Sequence, residues 1–96
     1  MSLAVLNSCA LSGLDFIDVR VEAHVAPGLP AFQIVGLPEA GIRESRERIR
    51  AALQASGFDF PAARLTINLA PADLPKDSGR FDLPVALAIL LASGQL

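Results

Sequence analysis

The chain has 96 residues, 52% hydrophobic and 19% charged, with 8 Lys and Arg against 10 Asp and Glu and a formal net charge of −2. That length holds one domain, and so apolar a composition can bury enough surface to fold rather than stay disordered. The acidic balance, with a pI near 5.1, argues against a stand-alone nucleic-acid-binding domain, a class whose pI usually exceeds about 9.

Trp and Tyr, which often anchor interfaces or stack on bases, are absent. The longest apolar run, Leu83 to Ala92, is ten residues and contains Pro84. A membrane-spanning helix needs roughly twenty. The N-terminus has no basic segment, and Asn7 and Ser8 interrupt its apolar stretch, so no signal peptide is expected. Cys9 is the single thiol, which fits a small buried side chain in a reducing cytoplasm.

In chain order, Leu3 to Leu11 predicts a first strand, ended by Ser12-Gly13. Phe16 to Ala26 predicts the second: Ile17, Val19, Val21, Ala23 and Val25 alternate with Asp18, Arg20, Glu22 and His24. Such alternation buries one face and wets the other. Pro27-Gly28-Leu29-Pro30 reads as a short link, and Ala31 to Val35 as a third strand. So short a link predicts that the second and third strands are antiparallel neighbours.

Gly36 and Pro38 stop that strand, and a helix follows to about Ser56. Its apolar stripe is Ile42, Ile49 and Leu53, with Ser45, Ala52 and Ser56 beside it, and Gly57 stands where a helix-terminating glycine belongs. Arg64 to Leu69 predicts a fourth strand with Leu65, Ile67 and Leu69 inward. After a loop from Ala70 to Arg80, Asp82 is the expected N-cap of a second helix, with Pro84 in its first turn and Gly94 behind its end.

The order β-β-β-α-β-α describes an α/β (α+β) two-layer domain with both helices on one face of a mostly antiparallel sheet. The second helix is apolar all round, which normally means cover on every side. Gln95-Leu96 supplies none, so the chain is expected to continue beyond Leu96.

Gly36-Leu-Pro-Glu-Ala-Gly41-Ile42-Arg43 has the glycine spacing and context of a phosphate-binding loop. A working loop requires Lys and then Ser or Thr where this chain has Ile42 and Arg43. Glu39 would add a negative charge inside it, better explained by the positive end of a helix dipole. Nucleophilic catalysis lacks a partner: His24 is the one histidine and lies on a wet strand face, while Lys76 and Ser78 sit in a Pro/Gly-rich loop unsuited to a rigid, desolvated lysine. One Cys and one His without clustered carboxylates do not make a metal site. No catalytic, cofactor-binding or metal-ligating residue is therefore assigned.

Arg43, Arg46 and Arg50 share a helix stripe that could contact phosphates or a partner, and Arg64, Lys76 and Arg80 could extend a basic edge. Against this, Glu39, Glu44 and Glu47 interleave with Arg43 and Arg48 at i,i+4 spacing, the pattern of a self-paired solvated face.

The runs Gly28-Leu-Pro-Ala-Phe-Gln-Ile-Val-Gly-Leu-Pro38, Glu44-Ser-Arg-Glu-Arg-Ile-Arg-Ala51, Ile67-Asn-Leu-Ala-Pro-Ala-Asp-Leu-Pro-Lys76 and Gly79-Arg-Phe-Asp-Leu-Pro84 extend over most of the chain. They closely resemble the N-terminal domain of the competence-protein ComM (YifB-like) family of magnesium-chelatase-like AAA+ ATPases. The resemblance implies a fold like the second domain of ribosomal protein S5, shared with Lon-type proteases. It also implies a cytoplasmic parent that binds ATP and Mg in a downstream AAA+ module, forms a homo-oligomeric ring, and acts on DNA as a helicase or branch-migration motor during natural transformation.

None of the family's ATP-binding residues falls within 1–96, which reads as a single non-catalytic accessory domain packed on its own AAA+ module. Lon-type domains carry a catalytic Ser at the start of the helix after a Pro-Lys-Asp-Gly stretch. This chain has Pro75-Lys76-Asp77, but its helix begins Phe81-Asp82-Leu83-Pro84, without that serine. The alternatives are a stand-alone nucleic-acid-binding module of S5-like fold and a degenerate Lon-like domain that grips polypeptide. The net charge favours the accessory scaffold.

Overall fold

The computed structural model describes residues 2–12, 15–36, 39–70 and 81–96. The expectations for Cys9 and Glu39 as side chains, and for Lys76, Ser78 and Arg80, lie outside the described residues. The elements are β1 (Ser2–Ser12), β2 (Asp15–Ala26), β3 (Ala31–Val35), α1 (Glu39–Ala55), β4 (Arg64–Ala70) and α2 (Asp82–Ala92).

The four strands form one sheet in the order β1-β2-β4-β3. β1 pairs with β2 and β2 with β4 antiparallel, whereas β3 pairs with β4 parallel. The sheet is thus mixed, antiparallel in two of its three pairings, and β2 and β3 are not the antiparallel neighbours expected, because β4 lies between them.

The link between β2 and β3 has the reach for this. Two strand spacings are about 10 Å, and four extended residues cover about 13 Å. Pro27 and Pro30 lack N–H groups and have fixed φ, which disfavours a tight hairpin at this point. β3, α1 and β4 then make a parallel crossover, the connection that a helix supplies. The Ala31 N–H donates to the Ala63 carbonyl at 3.2 Å, tying the starts of the two strands together.

Alternation puts Val19, Val21 and Ala23 of β2, Phe32 and Ile34 of β3, and Leu65, Ile67 and Leu69 of β4 on one buried face. The register lines them up across the sheet, with Ala4, Ala23, Ile67 and Ile34 in one row. α2 covers this face over β1 and β2, while α1 packs against β3 and α2. The predicted stripe of α1 is narrower than expected: Ile49, Leu53 and Ser45 are buried, but Ala52 and Ser56 are exposed.

Both helices end in the same way. Gly57 at φ 84° and Gly94 at φ 79° take the left-handed conformation that glycine adopts without strain. After α1, Gly57 N–H donates to Gln54 O and Phe58 N–H to Leu53 O; after α2, Gly94 N–H donates to Leu91 O and Gln95 N–H to Leu90 O. Each pair of bonds satisfies carbonyls that the last helical turn leaves open.

The start of α2 departs from the sequence reading. Phe81, not Asp82, holds the N-cap position, and no side chain caps the helix there. The Phe81 ring is buried, which sets the first turn, and the Asp82 carboxylate accepts instead from Arg48 Nε of α1 at 2.6 Å.

Candidate functional site

Of the two glycines with phosphate-loop spacing, Gly36 ends the strand side and Gly41 lies within α1. α1 begins at Glu39, so Gly41 already lies in the first helical turn rather than in a loop. Gly36, at φ 104°, has a packing reason: a Cβ there would stand 2.2 Å from the Leu69 carbonyl oxygen. That glycine lets the end of β3 pass close to β4. With Ile42 and Arg43 in the places of the required Lys and hydroxyl, the 96-residue chain is expected to show no micromolar binding of Mg-ATP by isothermal titration. Saturable heat at micromolar concentration would refute this.

Two of the three arginines on the stripe that could contact phosphates have other partners. Arg46 Nη1 donates to the Phe32 carbonyl at 3.0 Å, placing a charged side chain along the β3 edge. Charge at such an edge discourages pairing with a further strand. The Arg50 guanidinium lies 4.6 Å over the Phe60 ring, which in turn packs on Phe32 at 5.2 Å between centroids. Only Arg43 of the three is exposed without such a contact among the described residues. Arg64 opens β4 and is exposed, with its side chain on the sheet face opposite the helices.

Arg48, read from sequence as a partner of Glu44, does more. It approaches Glu44 at 3.7 Å, donates to Ser45 Oγ at 3.1 Å, and bonds Asp82 across the helices. The hydrogen bond to Asp82, reinforced by that residue's charge, raises the Arg48 pKa above its ordinary value. Arg48 is well exposed to solvent, so the pair adds little stability and chiefly fixes how α1 meets α2. No sequence spacing marks a partnership across 34 residues.

The most distinctive surface is apolar. Val85, Ala88, Ile89 and Ala92 turn α2 toward the sheet, and Leu90 is buried with them. Leu83, Leu87 and Leu91, spaced by four, are 68%, 38% and 43% exposed. Leu87 and Leu91 therefore face outward, whereas Leu90 beside them is buried. A contiguous exposed row of this kind marks a contact surface.

This two-layer domain thus carries an exposed row of leucines on α2, with Arg46, Arg48 and Arg50 engaged in contacts of their own. The family model described as subunit ChlI of Mg-chelatase matches residues 21–96, and the chain belongs to that family. It is 51% identical over 96 residues to the uncharacterized protein YifB of Salmonella typhimurium, and 50% identical to YifB of Escherichia coli. It is also 52% identical over 96 residues to the competence protein ComM of Haemophilus influenzae. In each case the whole chain is covered but only 19% of the relative, its N-terminal part. The chain thus spans about a fifth of the length of these relatives. Among the described residues no helix is long and apolar enough to cross a membrane.

Proposed function

We propose that this chain serves as the non-catalytic N-terminal accessory domain of a magnesium-chelatase-like AAA+ ATPase. In this reading the parent is a cytoplasmic, ring-forming DNA motor that uses ATP and Mg and acts as a helicase or branch-migration enzyme in transformation and recombination. The observation that carries it is the full-length match to the N-terminal fifth of YifB and of a protein named for competence. The order β-β-β-α-β-α in two layers supports a core like that of the second domain of ribosomal protein S5, the scaffold of Lon-type proteases. Fold alone does not bring peptidase chemistry with it.

The outward leucines of α2 then become the surface on which the ATPase module rests. Covering the exposed part of each such side chain stabilises the contact by about 1 kcal/mol. The test uses the full-length protein. Wild type is expected to turn over ATP faster when DNA is added, and Leu83→Gln/Leu87→Gln/Leu91→Gln to lower that turnover several-fold. The same changes should leave the 96-residue chain folded, because the three side chains contribute little to its own core. Absence of DNA-stimulated turnover in wild type would overturn the motor reading. A triple variant as active as wild type would overturn the docking of α2.

A further inference from the structure

The sheet face away from the helices carries a cavity of ≈ 330 Å³ lined by His24, Ala26, Arg64, Thr66 and Asn68. We propose that this cavity is a phosphate-binding site, with Arg64 as its charged anchor and His24, Thr66 and Asn68 as donors around it. The proposal does not depend on the parent being a DNA motor.

The register builds the site. Ala26 lies opposite Arg64, His24 opposite Thr66 and Glu22 opposite Asn68. Directly opposed residues of an antiparallel pair have Cβ atoms about 5 Å apart, so these side chains rise together from two strands. Ala26 ends at its Cβ, which leaves the hollow beside Arg64.

The Arg64 stem is held by the loop before β3. A Cβ on Gly28 would come within 2.8 Å of Arg64 Cδ and 3.2 Å of its Cγ. Gly28, at φ 141°, is therefore what lets the loop backbone lie against that stem.

The chemistry of the lining favours an oxyanion. A guanidinium offers five N–H donors in a planar fork suited to phosphate, and imidazole, hydroxyl and amide groups can each donate as well. Among the described residues no carboxylate lines the cavity. The nearest acid on this face, Glu22, is engaged by Arg20 at 3.1 Å and stands 4.0 Å from His24 Nε2. Arg46, Arg48 and Arg50 are bound to Phe32, Asp82 and Phe60. Arg64 has no carboxylate partner among the described residues, so its charge is available to a ligand.

The phosphate can belong to a monoester or to a nucleic-acid backbone, and two titrations separate these sources. Amide and side-chain NMR spectra of the 96-residue chain are followed at low salt while inorganic phosphate is added, and separately a short single-stranded oligonucleotide. Saturable shifts are expected at His24, Arg64, Thr66 and Asn68 in at least one arm, and the responding arm identifies the source. Arg64→Gln is expected to weaken that binding roughly tenfold or more, the loss of a charge-assisted contact. Thr66→Val, which keeps strand shape and removes the hydroxyl, should weaken it a few-fold. Arg43→Gln, on the exposed face of α1, should leave it unchanged. Shifts that never saturate, shifts centred on α1, or an Arg64→Gln chain that keeps its native spectrum and binds as wild type would each overturn the site.

Discussion

Gly36→Ala is expected to destabilise the chain by about 3 kcal/mol or more. Two costs combine. At φ 104° an alanine occupies a region in which a side chain costs about 1–2 kcal/mol. Its Cβ would also lie 2.2 Å from the Leu69 carbonyl oxygen and 3.0 Å from Leu69 Cβ.

Those atoms have little room to move. Leu69 is 3% exposed and sits in β4, which is paired on both sides. The clean comparison is Gly57→Ala. Gly57 has a similar left-handed conformation at φ 84°, but open space where the Cβ would go. That change should cost only the conformational part, about 1–2 kcal/mol. Urea unfolding of both variants measures the difference. Equal midpoints would mean that the approach of β3 to β4 at Gly36 is not tight.

The same glycine shows where sequence reasoning succeeds and where it stops. That Gly36 ends a strand before a helix is legible in the sequence; that it serves backbone proximity to Leu69 is not, because the contact joins β3 to β4, a pairing that local pattern does not specify. The period-2 runs of β2 and β4 named the inward side chains, and Gly57 and Gly94 marked both helix ends. These are local signals. The strand order is not local: a link from Pro27 to Pro30 is compatible with a hairpin or with an arch over a third strand, and alternation is the same in either.

The basic residues show the same limit of local spacing. The spacing of Arg43, Arg46 and Arg50 places them near one another on a helix. It is silent on the Phe32 carbonyl and the Phe60 ring that meet two of them. Conversely, His24, Arg64, Thr66 and Asn68 each read as ordinary wet-face residues. Only the β2–β4 register assembles them around one cavity.

Phe81→Ala is the second change expected to have a large effect, a loss of about 3–5 kcal/mol, as for aromatic truncations in well-packed cores. Phe81 is 1% exposed and, among the described residues, stands first by volume of the fully buried side chains. It precedes α2, and its ring holds the start of that helix against the core. A domain of this size has a total stability of about 5–15 kcal/mol, so this one ring accounts for a substantial part of it.

Removing the ring leaves a cavity and loosens the first turn of α2, where Asp82 meets Arg48. The ion pair adds little to the loss, because both groups are reached by solvent. Leu83→Ala, two residues along, provides the contrast. Leu83 is 68% exposed, so its truncation should stay within about 0.5 kcal/mol. Phe81→Leu should fall between the two, because it restores part of the lost volume. Guanidinium unfolding monitored by circular dichroism orders the three variants. If Phe81→Ala and Leu83→Ala cost the same, α2 does not owe its placement to the ring, and the division of its leucines into inward and outward sets loses its energetic basis.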